Sequence, residues 1–161
     1  MTELARTIDQ AVKSMTGREG SYLNFALPER SFKMNLLFYS SKSDERSKKI
    51  YGRLENSSHN VLLELHHSKG SLVSRLRQPL HGIALMVLYL AEKRDLSDLC
   101  AIRELFNDIP LIIIMNDTKG VTMTKALLLR PLMIFNPNDN LENICPVFEK
   151  MMADKSVINI N

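Results

Sequence analysis

The stretch IALMVLYL at residues 83–90 decides the fold, together with the shorter run LIIIM at residues 111–115. Both runs are apolar throughout and have the length of a strand rather than of a helix. Strands that are apolar on both sides are typical of central parallel strands covered by helices on two faces. The two runs therefore predict the middle of a parallel sheet.

Three further apolar runs of strand length surround these two. They are MNLLFY at residues 34–39, NVLLEL at residues 60–65 and LMIF at residues 132–135. A polar stretch with helical periodicity follows each of the five runs. This alternation with short connections predicts an α/β fold, a five-stranded doubly wound parallel sheet with helices on both faces. Glu64 and the two histidines that end the second run favour an edge position for that strand.

The intervening segments have the periodicity of amphipathic helices. The predicted helices span residues 43–54, 71–78, 95–106, 122–129 and 141–152. Ser43, followed by Asp44 and Glu45, predicts an N-cap and an acidic first turn for the first of them. Asp95 is predicted to cap the third.

The chain ahead of the first strand forms a predicted N-terminal extension, residues 1–32, before an α/β domain at residues 33–155. Apolar residues at helical spacing predict a helix over residues 3–15, and YLNFAL at residues 22–27 alternates like a short strand. Whether this extension packs on the domain, pairs with a partner or extends the sheet stays open at this point.

Composition narrows the function classes. The 161 residues include 21 basic and 18 acidic ones, and the densest basic stretch, residues 42–53, also contains acids, which is typical of a solvated helix face and disfavours a nucleic-acid binder. No apolar run is long enough to span a membrane, and no secretion signal is evident. Cys100 and Cys145 are predicted to be buried, reduced thiols, which favours a cytoplasmic protein. The spacing of cysteines and histidines predicts no metal site.

A chain of five such βα units resembles the receiver domain of two-component response regulators over residues 33–153. The resemblance rests on segment order and on local marks: Asp108-Ile109-Pro110 before LIIIM, Phe135-Asn136-Pro137 after the fifth strand, and LYLAEKRDLSDLCAIRELF at residues 88–106. It implies a flavodoxin-like sheet with strand order 2-1-3-4-5. It also implies an association surface on the fourth helix, fifth strand and fifth helix.

Receivers hold Mg²⁺ with two acids after strand one and accept a phosphoryl group on an Asp at the end of strand three. A Thr or Ser after strand four and a Lys after strand five contact that group. By this resemblance the five positions fall on Ser40, Ser41, Tyr89, Met115 (Asn116 if the register slips by one) and Asn136. These side chains lack the carboxylates that Mg²⁺ needs.

The sequence therefore predicts a degenerate, non-catalytic pseudo-receiver without metal or cofactor. It would signal through a protein partner, such as a kinase, a scaffold or an output protein, or through a second copy in a homodimer, with neither nucleic acid nor membrane as partner. A packed or capping role is predicted for Tyr89.

Three alternatives remain at this stage. A shifted acidic site would use Glu92 and Asp95. A flavodoxin-like binder of a small ligand or cofactor would use the carboxyl edge of the sheet, where open α/β sheets bind ligands, with a serine-rich loop after the first strand. A structural homo-oligomer would exchange the N-terminal extension between subunits.

Overall fold

The computed structural model describes residues 33–57, 61–138 and 141–158, so the predictions for residues 1–32 lie outside the described residues. The strands are β1 (Met34–Ser40), β2 (Val61–His66), β3 (Ile83–Leu90), β4 (Leu111–Met115) and β5 (Met133–Phe135). The helices are α1 (Glu45–Ser57), α2 (Lys69–Leu76), α3 (Lys93–Ala101), α4 (Gly120–Leu128) and α5 (Ile144–Ile158). None of these helices is both long and apolar enough to cross a bilayer.

The sheet is parallel throughout and has the order β2-β1-β3-β4-β5. This confirms the predicted five-stranded, doubly wound, flavodoxin-like arrangement. It also places β2 at an edge, as its polar residues indicated. The central strands β3 and β4 are buried along almost their whole length, as expected for strands covered on both faces.

The helices bury the two faces of the sheet in separate hydrophobic clusters. Leu88 of β3 packs on the face covered by α2, α3 and α4, which contribute Leu72, Leu96 and Ala126. Its neighbour Val87 packs on the opposite face, against α1 and α5. Successive side chains of a strand point to opposite faces, so an apolar run fills both clusters at once.

The caps of two helices differ from the prediction by one or a few residues. Asp44, rather than Ser43, caps α1, because its Oδ1 accepts a hydrogen bond from the Ser47 backbone N–H at 2.7 Å. Glu92 is the N-cap of α3, and Asp95 is the third helical residue in a reciprocal capping box. The acids are used at helix starts, as the pattern indicated, but in shifted positions.

The third and fifth helices also have other bounds than predicted. The segment predicted as one helix over residues 95–106 contains α3 and a separate 3-10 turn at Arg103–Leu105, because Ile102 leaves the helical conformation with φ −112° and ψ 11°. A 3-10 turn at Leu141–Asn143 precedes α5, which continues past residue 152, the predicted end of the helix, and past residue 155, the predicted end of the domain, to Ile158. Pro146 lies in the first turn of α5, where a missing N–H costs nothing.

The two cysteines are free thiols that are half-buried, so the prediction of buried side chains was wrong for both. Cys100 lies on α3, where its Sγ is 3.7 Å from the Lys125 carbonyl oxygen of α4. Partial burial raises the pKa of the Cys100 and Cys145 thiols above the ordinary value. At neutral pH both are therefore protonated and weakly nucleophilic.

Candidate functional site at the carboxyl edge of the sheet

The five positions singled out in the sequence all lie at the carboxyl edge of the sheet. Ser40 ends β1 and is the register partner of Tyr89 in β3. Met115 ends β4 and pairs with Leu90, the residue after Tyr89. Asn136 directly follows β5. Parallel strands end on the same side, so the fold brings these five positions to one edge, as the resemblance implied.

The two serines at the end of β1 donate hydrogen bonds to neighbours at the carboxyl edge. Ser40 is completely buried, and its hydroxyl donates to the Lys42 carbonyl oxygen. The Ser41 hydroxyl donates to Oδ2 of Asp95 at 2.8 Å. The Ser41–Asp95 bond joins the β1–α1 loop to the first turn of α3.

The phenol of Tyr89 is packed inside the protein and hydrogen-bonded. Its side chain is 1% exposed, and its hydroxyl donates to Oδ2 of Asp44 at 3.1 Å. Burial, followed by the Asp44 carboxylate, raises the pKa of the phenol. Asp44 thus has two functions: one carboxylate oxygen caps α1 and the other accepts from Tyr89.

Side-chain hydrogen bonds connect the residues at the ends of β4 and β5. Met115 is buried in the cluster beneath α2, α3 and α4, whereas Asn116 is exposed. The Asn136 Nδ2 group donates to the Asn116 carbonyl oxygen at 3.4 Å, and Arg46 Nη1 of α1 donates to the Asn116 side-chain oxygen at 3.5 Å. These contacts join α1, β4 and β5 at the edge.

The acids of the shifted-site alternative have other partners. Asp95 is 7% exposed and accepts hydrogen bonds from the Ser41 hydroxyl and from the Glu92 backbone N–H at 3.0 Å. Glu92 forms an ion pair with Lys42, which lowers the pKa of the Glu92 carboxyl. Within the described ranges, no group of three or more His, Cys, Asp or Glu side chains could hold a metal ion.

An open cavity of about 160 Å³ lies beside these positions, between the segments that follow β3 and β4. Its wall residues come from the ends of those strands and from the first turns of α3 and α4. They are Leu90, Ala91, Glu92, Lys93, Leu96, Met115, Asn116, Asp117 and Thr122. The cavity therefore lies where doubly wound sheets offer a crevice for ligands, one strand away from the β1–β3 switch point.

Large apolar side chains are exposed on α4 and around the start of β5. Val121 and Leu128 of α4 are 73% and 54% exposed, and they lie two helical turns apart on one side of the helix. Leu132 and Met133, at the start of the edge strand β5, are 57% and 39% exposed. We refer to these four side chains as the α4–β5 surface.

Sequence reasoning missed several of these connections. Asp44 was recognised as a helix-start residue, but not as the partner of Tyr89, which is 45 residues away. The Lys93–Asp117 ion pair at the cavity, with 3.1 Å between Nζ and Oδ2, was also missed. Local patterns can reveal a cap, because a cap and its helix are neighbours in the chain. They carry no signal for pairs that only the packing of loops brings together.

No protein family matches the sequence, and no curated protein is similar enough to match it. Solved structures do match. A response regulator receiver protein from Pseudoalteromonas atlantica aligns over 75% of this chain and 98% of its own length, with a TM-score of 0.60 and 11% identity. A two-component response regulator from Clostridium difficile covers 74% of this chain and 96% of its own, with a TM-score of 0.59 and 13% identity. The chain has the receiver fold.

The receiver fold is shared with a further class of protein. A protein related to pilus assembly from Burkholderia pseudomallei aligns over 76% of this chain and 92% of its own length, with a TM-score of 0.59 and 11% identity. At such identities the likeness concerns the fold alone. The function of this chain therefore depends on the residues at the edge and on the surface of the receiver fold.

Proposed function

We propose that this protein is a non-catalytic pseudo-receiver that signals by contact with another protein. The observation that carries the proposal is the α4–β5 surface. Apolar side chains scattered singly over a surface are ordinary, but a contiguous exposed patch marks an interaction site, and we take the exposed side chains of α4 and the start of β5 to form such a patch. Charged substitution of Leu128 would remove apolar contact area from a partner while leaving the core intact.

The chemistry of the carboxyl edge supports the non-catalytic part of the proposal. A phosphoacceptor site needs clustered carboxylates for Mg²⁺ and a cation for the developing charge. Ser40, Ser41, Tyr89, Met115 and Asn136 offer hydroxyls, a thioether and an amide instead. The nearby Asp44 and Asp95 carboxylates serve as hydrogen-bond acceptors for helix starts and for Tyr89 and Ser41. Half-buried free thiols fit the reducing cytoplasm, where we place this module.

A pair of variants tests the protein contact. We expect Leu128→Lys to abolish co-purification of a specific kinase, scaffold or output protein from the native cell extract. Leu62→Lys is the matched control, because Leu62 is exposed to a similar extent, 50%, but lies on β2 at the other edge of the sheet. Sedimentation of both variants measures their oligomeric state and so tests the case in which the partner is a second copy of this chain. Equal recovery of all proteins and equal sedimentation for both variants would contradict the proposal.

A second experiment tests the loss of phosphotransfer. The protein is incubated with Mg²⁺ and acetyl phosphate, and its intact mass is measured beside an ordinary receiver. We expect no mass change while the control gains one phosphoryl group. A base-labile gain in this protein would favour the shifted site and make Glu92 and Asp95 the residues to replace first.

A second candidate function is that of a small-ligand binder with a flavodoxin-like fold. The cavity of about 160 Å³ at the carboxyl edge favours it. This function and the protein contact involve different parts of the surface, so separate experiments can test them.

A further inference from the structure

The floor of the cavity consists of apolar side chains that also belong to the hydrophobic core. Leu90, Leu96 and Met115 each keep less than 5% of their surface exposed, and all three belong to the cluster under α2, α3 and α4. A ligand that enters the cavity therefore meets side chains held by the core. Ligand sites in proteins are commonly concave and mainly apolar, with a few polar groups that fix orientation.

The charges at the rim of the cavity are already paired. Lys93 Nζ lies 3.1 Å from Oδ2 of Asp117, and Glu92 pairs with Lys42. The ammonium of Lys93 and hydrogen bonds from the Lys119 backbone and the Thr122 hydroxyl lower the pKa of Asp117. An ionic ligand would have to compete with these existing pairs, so the rim favours an uncharged one.

Two rim residues can orient a polar group on the ligand. Asn116 carries both amide donors and an acceptor oxygen, and the Thr122 hydroxyl can both donate and accept. Thr122 is held by its 3.1 Å bond to Oδ2 of Asp117, which leaves the lone pairs of its oxygen for a donor. The apolar wall residues Leu90, Ala91, Leu96 and Met115 would contact the apolar part of a ligand.

We propose that this cavity binds a small uncharged molecule with an apolar body the size of a benzene ring and one hydroxyl or amide group. The size follows from the volume, since an enclosed apolar cavity of about 150 Å³ holds benzene and this open cavity of about 160 Å³ has room for a guest of the same size. The polar group would contact Asn116 or Thr122. This inference rests on the second candidate function and names the ligand class for it.

The test uses the intact protein with methionine methyl groups labelled for NMR. The chain has nine methionines, and a Met115→Leu variant identifies the Met115 signal. We expect phenol to move this signal saturably, with half-saturation at or below the millimolar range. Met34 begins β1 at the opposite edge of the sheet and is the internal reference that does not move. Benzoate and benzylammonium, as charged probes of equal size, are expected to bind at least tenfold more weakly.

Variants that fill the cavity separate binding at this site from binding elsewhere. Thr122→Phe and Ala91→Leu fill the cavity from two different walls, and each is expected to weaken phenol binding at least tenfold. Thr124→Phe is the matched control on α4, because Thr124 is exposed and does not line the cavity. Thermal unfolding verifies that each variant is folded. If Thr122→Phe does not fold, Ala91→Leu provides the test.

Three outcomes would overturn the proposal. The first is a phenol response that persists unchanged in a folded cavity-filling variant, and the second is equal or tighter binding of the charged probes. The third is the absence of a saturable phenol response. In that case flavin mononucleotide and adenosine nucleotides are titrated next. A saturable Met115 response to one of them would support the second candidate function with another ligand class. No response to any of them would contradict both the proposed ligand class and the second candidate function.

Discussion

At the scale of single residues, Asp95 connects two segments of the carboxyl edge. One of its oxygens accepts from the Ser41 hydroxyl and from the Glu92 backbone N–H, at 2.8 and 3.0 Å. The carboxylate is 7% exposed, so water cannot easily replace these partners. Asp95, which the shifted-site alternative would use, therefore also connects the β1–α1 loop to the first turn of α3.

We predict that Asp95→Ala lowers the free energy of unfolding by about 1–3 kcal/mol, because it removes one half of the capping box of α3 and takes the acceptor away from the half-buried Ser41 hydroxyl and from the Glu92 N–H. Urea denaturation measures this difference. Asp98→Ala on the same helix is the control, since the Asp98 ion pairs with Lys69 and Arg94 are exposed, and we expect a loss below about 0.5 kcal/mol. Equal losses for the two variants would contradict the structural function of Asp95.

His66 is a second residue whose surroundings have a measurable effect, in this case on how stability depends on pH. Its Nδ1 lies 2.8 Å from the Ser71 hydroxyl, whereas its buried Nε2 has no hydrogen-bond partner. Glu64 Oε2 is 3.9 Å from Nε2 and is itself bound by Arg75. Burial is the largest cause that lowers the pKa of His66, and Arg75 and the neighbouring His67 act in the same direction against Glu64.

This pKa shift makes stability depend on pH. The folded-state pKa of His66 lies below its unfolded value of 6.5. As the pH falls from about 6.5 towards the folded-state pKa, the unfolded chain takes up a proton that the folded protein does not, so stability decreases. We expect His66→Gln to lose less unfolding free energy than the wild type between about pH 7.5 and pH 5.5. His81→Gln removes an exposed histidine and is the control. A slope for His66→Gln equal to that of the wild type would contradict this account.

At the scale of the elements, the positions of the strands within the sheet explain their different compositions. Leu88 of the central strand β3 is completely buried, whereas Leu62 of the edge strand β2 is 50% exposed. A central strand has neighbours on both sides and helices on both faces. An edge strand can therefore carry polar residues such as Glu64 that a central strand cannot.

We predict that Leu88→Ala lowers the free energy of unfolding by about 2–5 kcal/mol, because it leaves a cavity in the core. Leu62→Ala, the same substitution at the edge, should cost less than about 1 kcal/mol. Denaturant titration of both variants gives the comparison. Losses of similar size would show that the difference in burial does not determine how much each leucine contributes to the free energy of unfolding.

The segment after α3 shows where helical periodicity misleads. Ile102 and Leu105 continue the apolar spacing of α3 and pack against the same cluster as Leu96 and Leu99. The chain nevertheless leaves the α-helix after Ala101 and forms a 3-10 turn. A spacing of three residues satisfies both helix types, so the pattern reveals which side is buried but not which helix is formed.

At the scale of the whole molecule, the described core belongs to one continuous part of the chain. The buried members of both clusters run from Leu36 to Phe148, and all five strands lie in the same part. A domain with its own core can fold alone. The boundary between residues 32 and 33 stays a prediction from the sequence.

We expect a chain that lacks residues 1–32 to keep the five-stranded domain folded. Circular dichroism and thermal unfolding of the shortened and the full chains provide the measurement, with a single cooperative transition as the expected result. Loss of that transition, or aggregation of the shortened chain, would instead support the alternative in which the extension belongs to the fold or is exchanged between subunits.

The sequence by itself determined the order of strands and helices, the central position of β3 and β4 and the edge position of β2. These features depend on the spacing of apolar residues along short segments, which the chain carries locally. Only the tertiary structure decided how the carboxyl edge is connected. Ser41 and Asp95 are 54 residues apart, and Tyr89 and Asp44 are 45 apart. Such pairs, like the cavity between α3 and α4, arise from the packing of distant loops, for which a single sequence contains no periodic signal.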